Sequence, residues 1–285
     1  MEPRSSLTLT APATRPAPGL PDRPIGVFDS GVGGLTVLRE IRRELPFEHL
    51  CYLADSGQAP YGDKAQAVIE ARSLALTEFL IRQGAKAIVV ACNTATSAAA
   101  ATLRARFRLP IVAMEPALKP AVGLTRSGVI GVLATSQTLA SDKFEVLRER
   151  FGASARVLVQ PCPGLVERIE AGELNGAATR ALLADYLLPL MQRGADTLVL
   201  GCTHYPLLRP LIQEIAGPDL IITDAGAAVA RQLRHRLLQD RLLSDRSQGG
   251  DEWFWSSGEP KQTRAVIGAL WERPIAVRSL PELHR

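Results

Sequence analysis

A chain of 285 residues, 46% apolar and 22% charged, is long enough for one large α/β unit or for two smaller ones with their own cores. Its 33 basic and 29 acidic side chains leave a formal charge of only +4, and the Lys and Arg residues are scattered through helical stretches. That distribution argues against nucleic acid as a partner, and no uncharged apolar stretch reaches membrane-spanning length; a small anionic ligand is compatible with the balance but not required by it.

In chain order, Met1–Pro24 is rich in Pro, Ser, Thr and Ala and has no apolar stretch of signal-peptide length, so residues 1–23 are expected to be a disordered leader. From there short apolar runs alternate with amphipathic stretches, the pattern of a parallel α/β fold. Strands are expected at Ile25–Phe28, Leu50–Leu53, Ala87–Ala91 and Ile111–Ala113, with helices at Leu35–Leu45, Gln66–Arg82 and Ser97–Phe107. A second series of strands follows at Val129–Leu133, Arg156–Val159, Thr197–Leu200 and Leu220–Thr223, with helices at Leu139–Arg150 and Ala177–Gln192. Asp224 is a capping residue for a helix over Ala225–Leu238; Ser244–Asp251 reads as a loop, Trp253–Trp255 as a short strand and Pro260–Trp271 as a last helix. This tail is too small for a core of its own and is expected to pack back on the first series. The expected organisation is a first α/β domain over 24–117 completed by 225–285, and a second α/β domain over 118–224.

The two series echo one another. Ile25-Gly26-Val27-Phe28 and Ile130-Gly131-Val132-Leu133 each open a series, and a cysteine ends a later strand in both, Cys92 after 67 residues and Cys202 after 72 (92 − 25 and 202 − 130). Two similar halves facing each other would hold a ligand between two thiols at their strand ends, where parallel α/β folds place their sites. In a reducing compartment, the expectation for a chain without a secretion signal, all four cysteines are thiols. Cys51 reads as core packing.

Cys92 stands in Ala91-Cys92-Asn93-Thr94, between a strand and a helix, where the helix N-terminus favours a thiolate and its N–H groups suit a carboxylate. By itself it fits a buried core thiol equally well. Cys202 stands in Gly201-Cys202-Thr203-His204-Tyr205-Pro206; thiol, hydroxyl and imidazole within three residues point to proton transfer rather than packing. Asp29-Ser30-Gly31-Val32-Gly33-Gly34 follows the first strand with glycines for close backbone approach, but it has neither dinucleotide spacing nor a Walker lysine. Cys92 and Cys202 are 110 residues apart (202 − 92) with no C-x-x-C pair, so metal ligation is not expected.

Together, Ile25–Val37, Pro60–Lys64, Val89–Thr96, Glu115-Pro116 and Leu198–Leu208 resemble the glutamate racemases of the aspartate/glutamate racemase superfamily, over about residues 24–240. The resemblance implies two α/β domains with the active site in the cleft between them, no cofactor and no metal, and glutamate as the small-molecule partner. It makes Cys92 and Cys202 opposed acid–base catalysts, with Asp29 assisting the first and His204 the second. Ser30, Tyr61, Gly62, Asn93, Thr94 and Thr203 match substrate-binding positions, with Asp29 and His204 sharing that role. Glu170 falls where some members carry a carboxylate near the second cysteine, although Pro163–Gly172 matches loosely and a solvated helix Glu fits as well. The segment around Cys162 also carries a family signal. The resemblance further implies D-glutamate supply for peptidoglycan in the cytoplasm, and is compatible with a homodimer. Aspartate or hydantoin racemisation, a Cys/His hydrolase and a non-catalytic ligand-binding protein remain as alternatives; the hydrolase leaves Cys92 without a role.

Overall fold

The computed structural model describes residues 19–272 and 274–282. Residues 1–18 of the expected leader lie outside that range; of the remainder, Leu20–Asp22 form a 3-10 turn, and the ammonium of Lys86 donates to the Pro21 carbonyl.

Ten strands build two parallel sheets. They are β1 (Ile25–Asp29), β2 (Leu50–Ala54), β3 (Ala87–Val90), β4 (Ile111–Ala113), β5 (Val129–Ala134), β6 (Arg156–Pro161), β7 (Thr197–Leu200), β8 (Ile221–Thr223), β9 (Glu252–Ser256) and β10 (Val277–Ser279). One sheet runs β10-β9-β2-β1-β3-β4 and the other β6-β5-β7-β8. The helices are α1 (Leu35–Glu44), α2 (Gln66–Arg82), α3 (Asn93–Arg106), α4 (Leu118–Leu124), α5 (Ser136–Leu139), α6 (Asp142–Gly152), α7 (Leu165–Glu170), α8 (Ala177–Gln192), α9 (Arg209–Ala216), α10 (Gly226–Gln239) and α11 (Pro260–Trp271). None of the helices among the described residues is long and apolar enough to cross a membrane.

Every residue of β1, β2, β3 and β7 is buried. Helices cover both faces of these central strands, so they read as unbroken apolar runs without a period of two. Helix α1 turns Leu35, Val37, Leu38 and Ile41 inward, and each fully buried Leu or Ile stabilises the fold by about 1.5–3 kcal/mol. One apolar cluster spans both sheets, from Ile25, Val27 and Leu38 to Leu198, Leu200 and Leu211. The two layers are therefore joined through core packing as well as through polar contacts.

The tail beyond α10 joins the first sheet. Strand β9 pairs in parallel with β2, Leu50 opposite Glu252, and β10 with β9. Arg42 on α1 staples this return: it donates to the Glu252 carboxylate at 2.7 Å, to the Glu48 carbonyl at 2.8 Å and to the Gly250 carbonyl at 3.2 Å.

Local differences from the expected elements have local causes. The third helix starts at Asn93 rather than Ser97 because Cys92 itself caps it, its Sγ accepting from the Ala95 N–H. The helix expected over Leu139–Arg150 is broken at Ala140-Ser141, where Ser141 Oγ accepts from Phe144 N–H and starts α6 afresh. Helices α4, α7 and α9 and strand β10 have no counterpart among the expected elements; each is short, three to eight residues.

Candidate active site

Corresponding strands carry the two cysteines. In the first sheet Phe28 of β1 is opposite Val90 of β3, and Cys92 is the second residue beyond Val90. In the second sheet Leu133 of β5 is opposite Leu200 of β7, and Cys202 is the second residue beyond Leu200. The same hydrogen bond follows each pair, Ala91 N–H to the Phe28 carbonyl and Gly201 N–H to the Leu133 carbonyl. Both thiols are buried, 4% and 7% exposed, and each lies within electrostatic reach of the other.

Around Cys92 the groups come from the first sheet. Its Sγ lies 3.4 Å from the Ala95 N–H at the start of α3 and 3.6 Å from Ser30 Oγ. Ser30 Oγ lies in turn 3.5 Å from Asp29 Oδ1, at the carboxyl end of β1. Asp29 is wholly buried; its carboxylate accepts from Gly34 N–H at 2.8 Å, Gly31 N–H at 3.3 Å and Thr203 Oγ1 at 3.3 Å. Burial raises its pKa above the ordinary carboxylate value, while His204 and the Gly34 N–H pull the other way. Burial, and after it the Asp29 charge, push the Cys92 thiol well above its usual value, against its hydrogen bonds with Ala95 N–H and Ser30 Oγ. One hydroxyl, that of Ser30, stands between the Cys92 thiol and the Asp29 carboxylate.

Around Cys202 the groups come from both sheets. His204 Nδ1 lies 3.7 Å from Cys202 Sγ, and its Nε2 lies 2.6 Å from Glu170 Oε1 on α7. Glu170 Oε1 also accepts from Val32 N–H at 2.6 Å, and Oε2 accepts from Ser56 Oγ at 2.9 Å. Burial alone would lower the pKa of His204, but its hydrogen bonds to Cys202 and Glu170 hold it well above the ordinary imidazole value. The loop after β1 has glycines because these groups press on it: a Cβ on Gly31 would come within 1.9 Å of Glu170 Oε1, and one on Gly33 within 2.3 Å of His204 Nδ1.

Helix α3 starts directly after Cys92, which caps it. Asn93 is 3% exposed, and neither its amide oxygen nor its amide nitrogen has a hydrogen-bond partner. A buried amide left unpaired costs about 1–3 kcal/mol per group, which makes Asn93 a candidate ligand contact. Thr94 Oγ1 lies 2.9 Å from Thr135 Oγ1 and 3.1 Å from Thr138 Oγ1, both just beyond β5. Gly62 also approaches this seam, since a Cβ there would lie 3.0 Å from the Thr135 Cβ. Tyr61 is buried and gives its hydroxyl to Asp55 at 2.5 Å, while Arg72 binds both Asp55 oxygens, at 2.5 and 3.0 Å. No group of three or more His, Cys, Asp or Glu among the described residues is arranged to hold a metal ion.

The profile of the Asp/Glu/Hydantoin racemase family matches residues 25–233. The chain belongs to that family. Among similar curated proteins, the glutamate racemase of Methylococcus capsulatus is 55% identical over 260 residues, covering 91% of this chain and 96% of that one. Among solved structures, a glutamate racemase isoform of Bacillus anthracis superposes with a TM-score of 0.83 at 33% identity, covering 92% and 98% of the two chains. The Escherichia coli glutamate racemase, solved with L-glutamate and the activator UDP-MurNAc-Ala, gives a TM-score of 0.79 at 31% identity over 90% and 98%. The mixed α/β architecture with two parallel sheets is the one that these racemase structures share.

Within this racemase fold the residues expected from sequence fall around one seam. Cys92, Ser30, Asp29, Asn93 and Thr94 line its first-sheet side, and Cys202, Thr203, His204 and Glu170 its second. Glu170 is bonded to His204, Val32 and Ser56, not solvated as a surface helix glutamate would be. Tyr61 is the exception in detail, its hydroxyl being committed to Asp55. Cys162 is buried, and its thiol donates to the Gln160 carbonyl at 3.4 Å. Ser56, Asp55, Arg72, Thr135 and Thr138 were not expected. The one sequence signal available was Thr135-Ser136-Gln137-Thr138 after an apolar run, since Thr135 Oγ1 caps α5 by accepting from Thr138 N–H.

Proposed function

We propose that this chain interconverts L- and D-glutamate by a two-thiol mechanism that needs no cofactor. The observation that carries the reading is the pair of buried cysteines at corresponding strand ends, each with its own proton-handling partner: Ser30 and Asp29 for Cys92, His204 and Glu170 for Cys202. The Cα–H of an amino acid is weakly acidic, so racemisation requires a base on one face and an acid on the other. One cysteine, as thiolate, takes the Cα proton and becomes a thiol. The opposed thiol gives its proton to the other face and becomes the thiolate, and the reverse direction exchanges the roles.

A buried thiol gives up its proton only where a neighbour receives it. Asp29, its own pKa raised, accepts the Cys92 proton through Ser30. His204, made more basic by Glu170, accepts that of Cys202. The unpaired Asn93 amide, Thr94 and the N–H groups opening α3 are suited to the substrate carboxylate as charge builds on it. Thr203 links the two sets through Asp29, and Gly62 walls the seam at Thr135. Glutamate as the substrate is supported by the relatives, one of which was solved with L-glutamate. On this reading the product serves peptidoglycan synthesis in the cytoplasm. The family also takes in aspartate and hydantoin racemases, so an enantiomer panel of all three substrates tests the specificity.

The test is incubation with L- or D-glutamate in D2O without added cofactor. Deuterium should enter at Cα with inversion, and Cys92→Ser or Cys202→Ser should each cut racemisation by about 10²–10⁴-fold. Full racemase activity in either variant would sink the two-thiol reading.

A further inference from the structure

We propose that Ser56 is a positioning residue for the second thiol, acting through Glu170 and His204. The inference rests on the two-thiol reading and adds a residue to it that belongs to the opposite sheet.

Ser56 opens the 3-10 turn Ser56–Gln58 that follows β2, whereas Glu170 ends α7 on the second sheet's side. Among the described residues, His204 Nε2 and the Val32 N–H share Oε1 of the Glu170 carboxylate and Ser56 engages Oε2. Two donors on one oxygen leave the carboxylate free to pivot about Oε1. A third donor on the other oxygen fixes its plane, and with it the direction in which His204 Nδ1 meets Cys202 Sγ.

The turn is itself held rigidly. Gly57 N–H donates to Ser257 Oγ at 3.1 Å and Ser257 N–H to the Ala54 carbonyl at 3.1 Å, while a Cβ on Gly258 would lie 3.1 Å from Ser56 Cβ. The returning segment after β9 thereby braces the hydroxyl that orients Glu170. Ser56 touches neither thiol. Cys92 has its separate route through Ser30, so the proposed effect falls on one face of the reaction only.

That asymmetry supplies a readout. The two enantiomers have equal free energy, so any variant lowers kcat/KM equally in both directions and the rates alone cannot reveal which thiol is impaired. Primary isotope effects on kcat/KM with Cα-deuterated L- and D-glutamate can. Slowing the step at Cys202 expresses the isotope effect fully for the enantiomer whose Cα–H faces Cys202 and suppresses it for the other.

For Ser56→Ala the expected result is a fall in kcat/KM of roughly ten-fold, the loss of one charge-assisted hydrogen bond. The ratio of the two isotope effects should shift in the same sense as in a His204→Asn variant, and Ser56→Thr, which keeps the hydroxyl, should restore both. Far-UV circular dichroism and the melting temperature report folding separately. If Ser56→Ala leaves the isotope-effect ratio at the wild-type value, whatever happens to the rate, Ser56 only ties the two layers together and the inference is overturned. Failure of the wild-type protein to exchange its substrate's Cα proton would instead overturn the two-thiol reading itself.

Discussion

The strand orders β2-β1-β3-β4 and β6-β5-β7-β8 match strand for strand, and the cysteines stand at the same place in each. Yet the position that carries Asp29 in the first sheet carries Ala134 in the second, as the register of Phe28 with Val90 and of Leu133 with Leu200 shows. The first sheet places a carboxylate at the end of the neighbouring strand. The second places an imidazole two residues beyond its own cysteine and takes the carboxylate from a separate helix. Equal backbones thus present thiols symmetrically while the ionisable groups beside them differ in kind, a buried acid on one side and a histidine–carboxylate pair on the other. The edges differ too: β9 and β10 cover the β2 side of the first sheet, whereas β6 remains the edge of the second.

The largest expected effect breaks the covered edge. Phe254 of β9 is 3% exposed and packs edge-on against Tyr52 and Trp271, with ring centroids 6.2 and 5.7 Å away. Phe254→Ala should cost about 3–5 kcal/mol in urea unfolding. Next comes the contact that couples the β1 loop to the second sheet's apparatus. Gly33→Ala places a methyl within 2.3 Å of His204 Nδ1 and 2.7 Å of its backbone nitrogen. Turnover should fall by about 10²-fold with the far-UV spectrum unchanged, because displacing reacting groups by about 1 Å costs that much.

Asp29→Asn sharpens the difference in kind between the helpers. Burial raises the pKa of Asp29 in the folded protein above its unfolded value of 3.8. Between those two values the folded state binds more protons than the unfolded one, so the Asp29 contribution to stability is fully present below the unfolded value. It is lost as pH rises through the folded one. An asparagine side chain in its place carries no such charge at any pH. The variant should therefore melt higher than wild type at neutral pH, the gap closing as pH falls toward the ordinary aspartate range, while racemase activity drops. Melting curves across that range that run parallel would contradict the buried-charge account. The smallest effect is expected at the open edge: Val159 of β6 is 39% exposed, and Val159→Lys should change stability by no more than about 0.5 kcal/mol.

What was legible in the sequence follows from where each signal resides. The central strands were readable because burial on both faces writes itself as an apolar run, as in Ala87–Val90 and Leu198–Leu200. Cys92, Asn93, Cys202 and His204 could be singled out because polar residues at strand ends stand out against those runs. The start of α3 was not, since the capping acceptor is a thiol and the Ala-rich stretch after it has no sharp period. For Glu170, the least specific of the expected site residues, the structure shows the hydrogen bonds the sequence could not, from groups 114 and 138 residues away. Ser56 and Arg72 left no trace for the same reason. A serine in a turn and an arginine on an amphipathic helix look like solvent-facing residues until the fold brings a carboxylate to them.

The burial of the two thiols has a consequence for the durability of the protein. Peroxides and electrophilic metabolites attack thiolates they can reach, and the damage can run past the reversible oxidation states. At 4% and 7% exposure, Cys92 and Cys202 are shielded from such reagents by the packing around the seam.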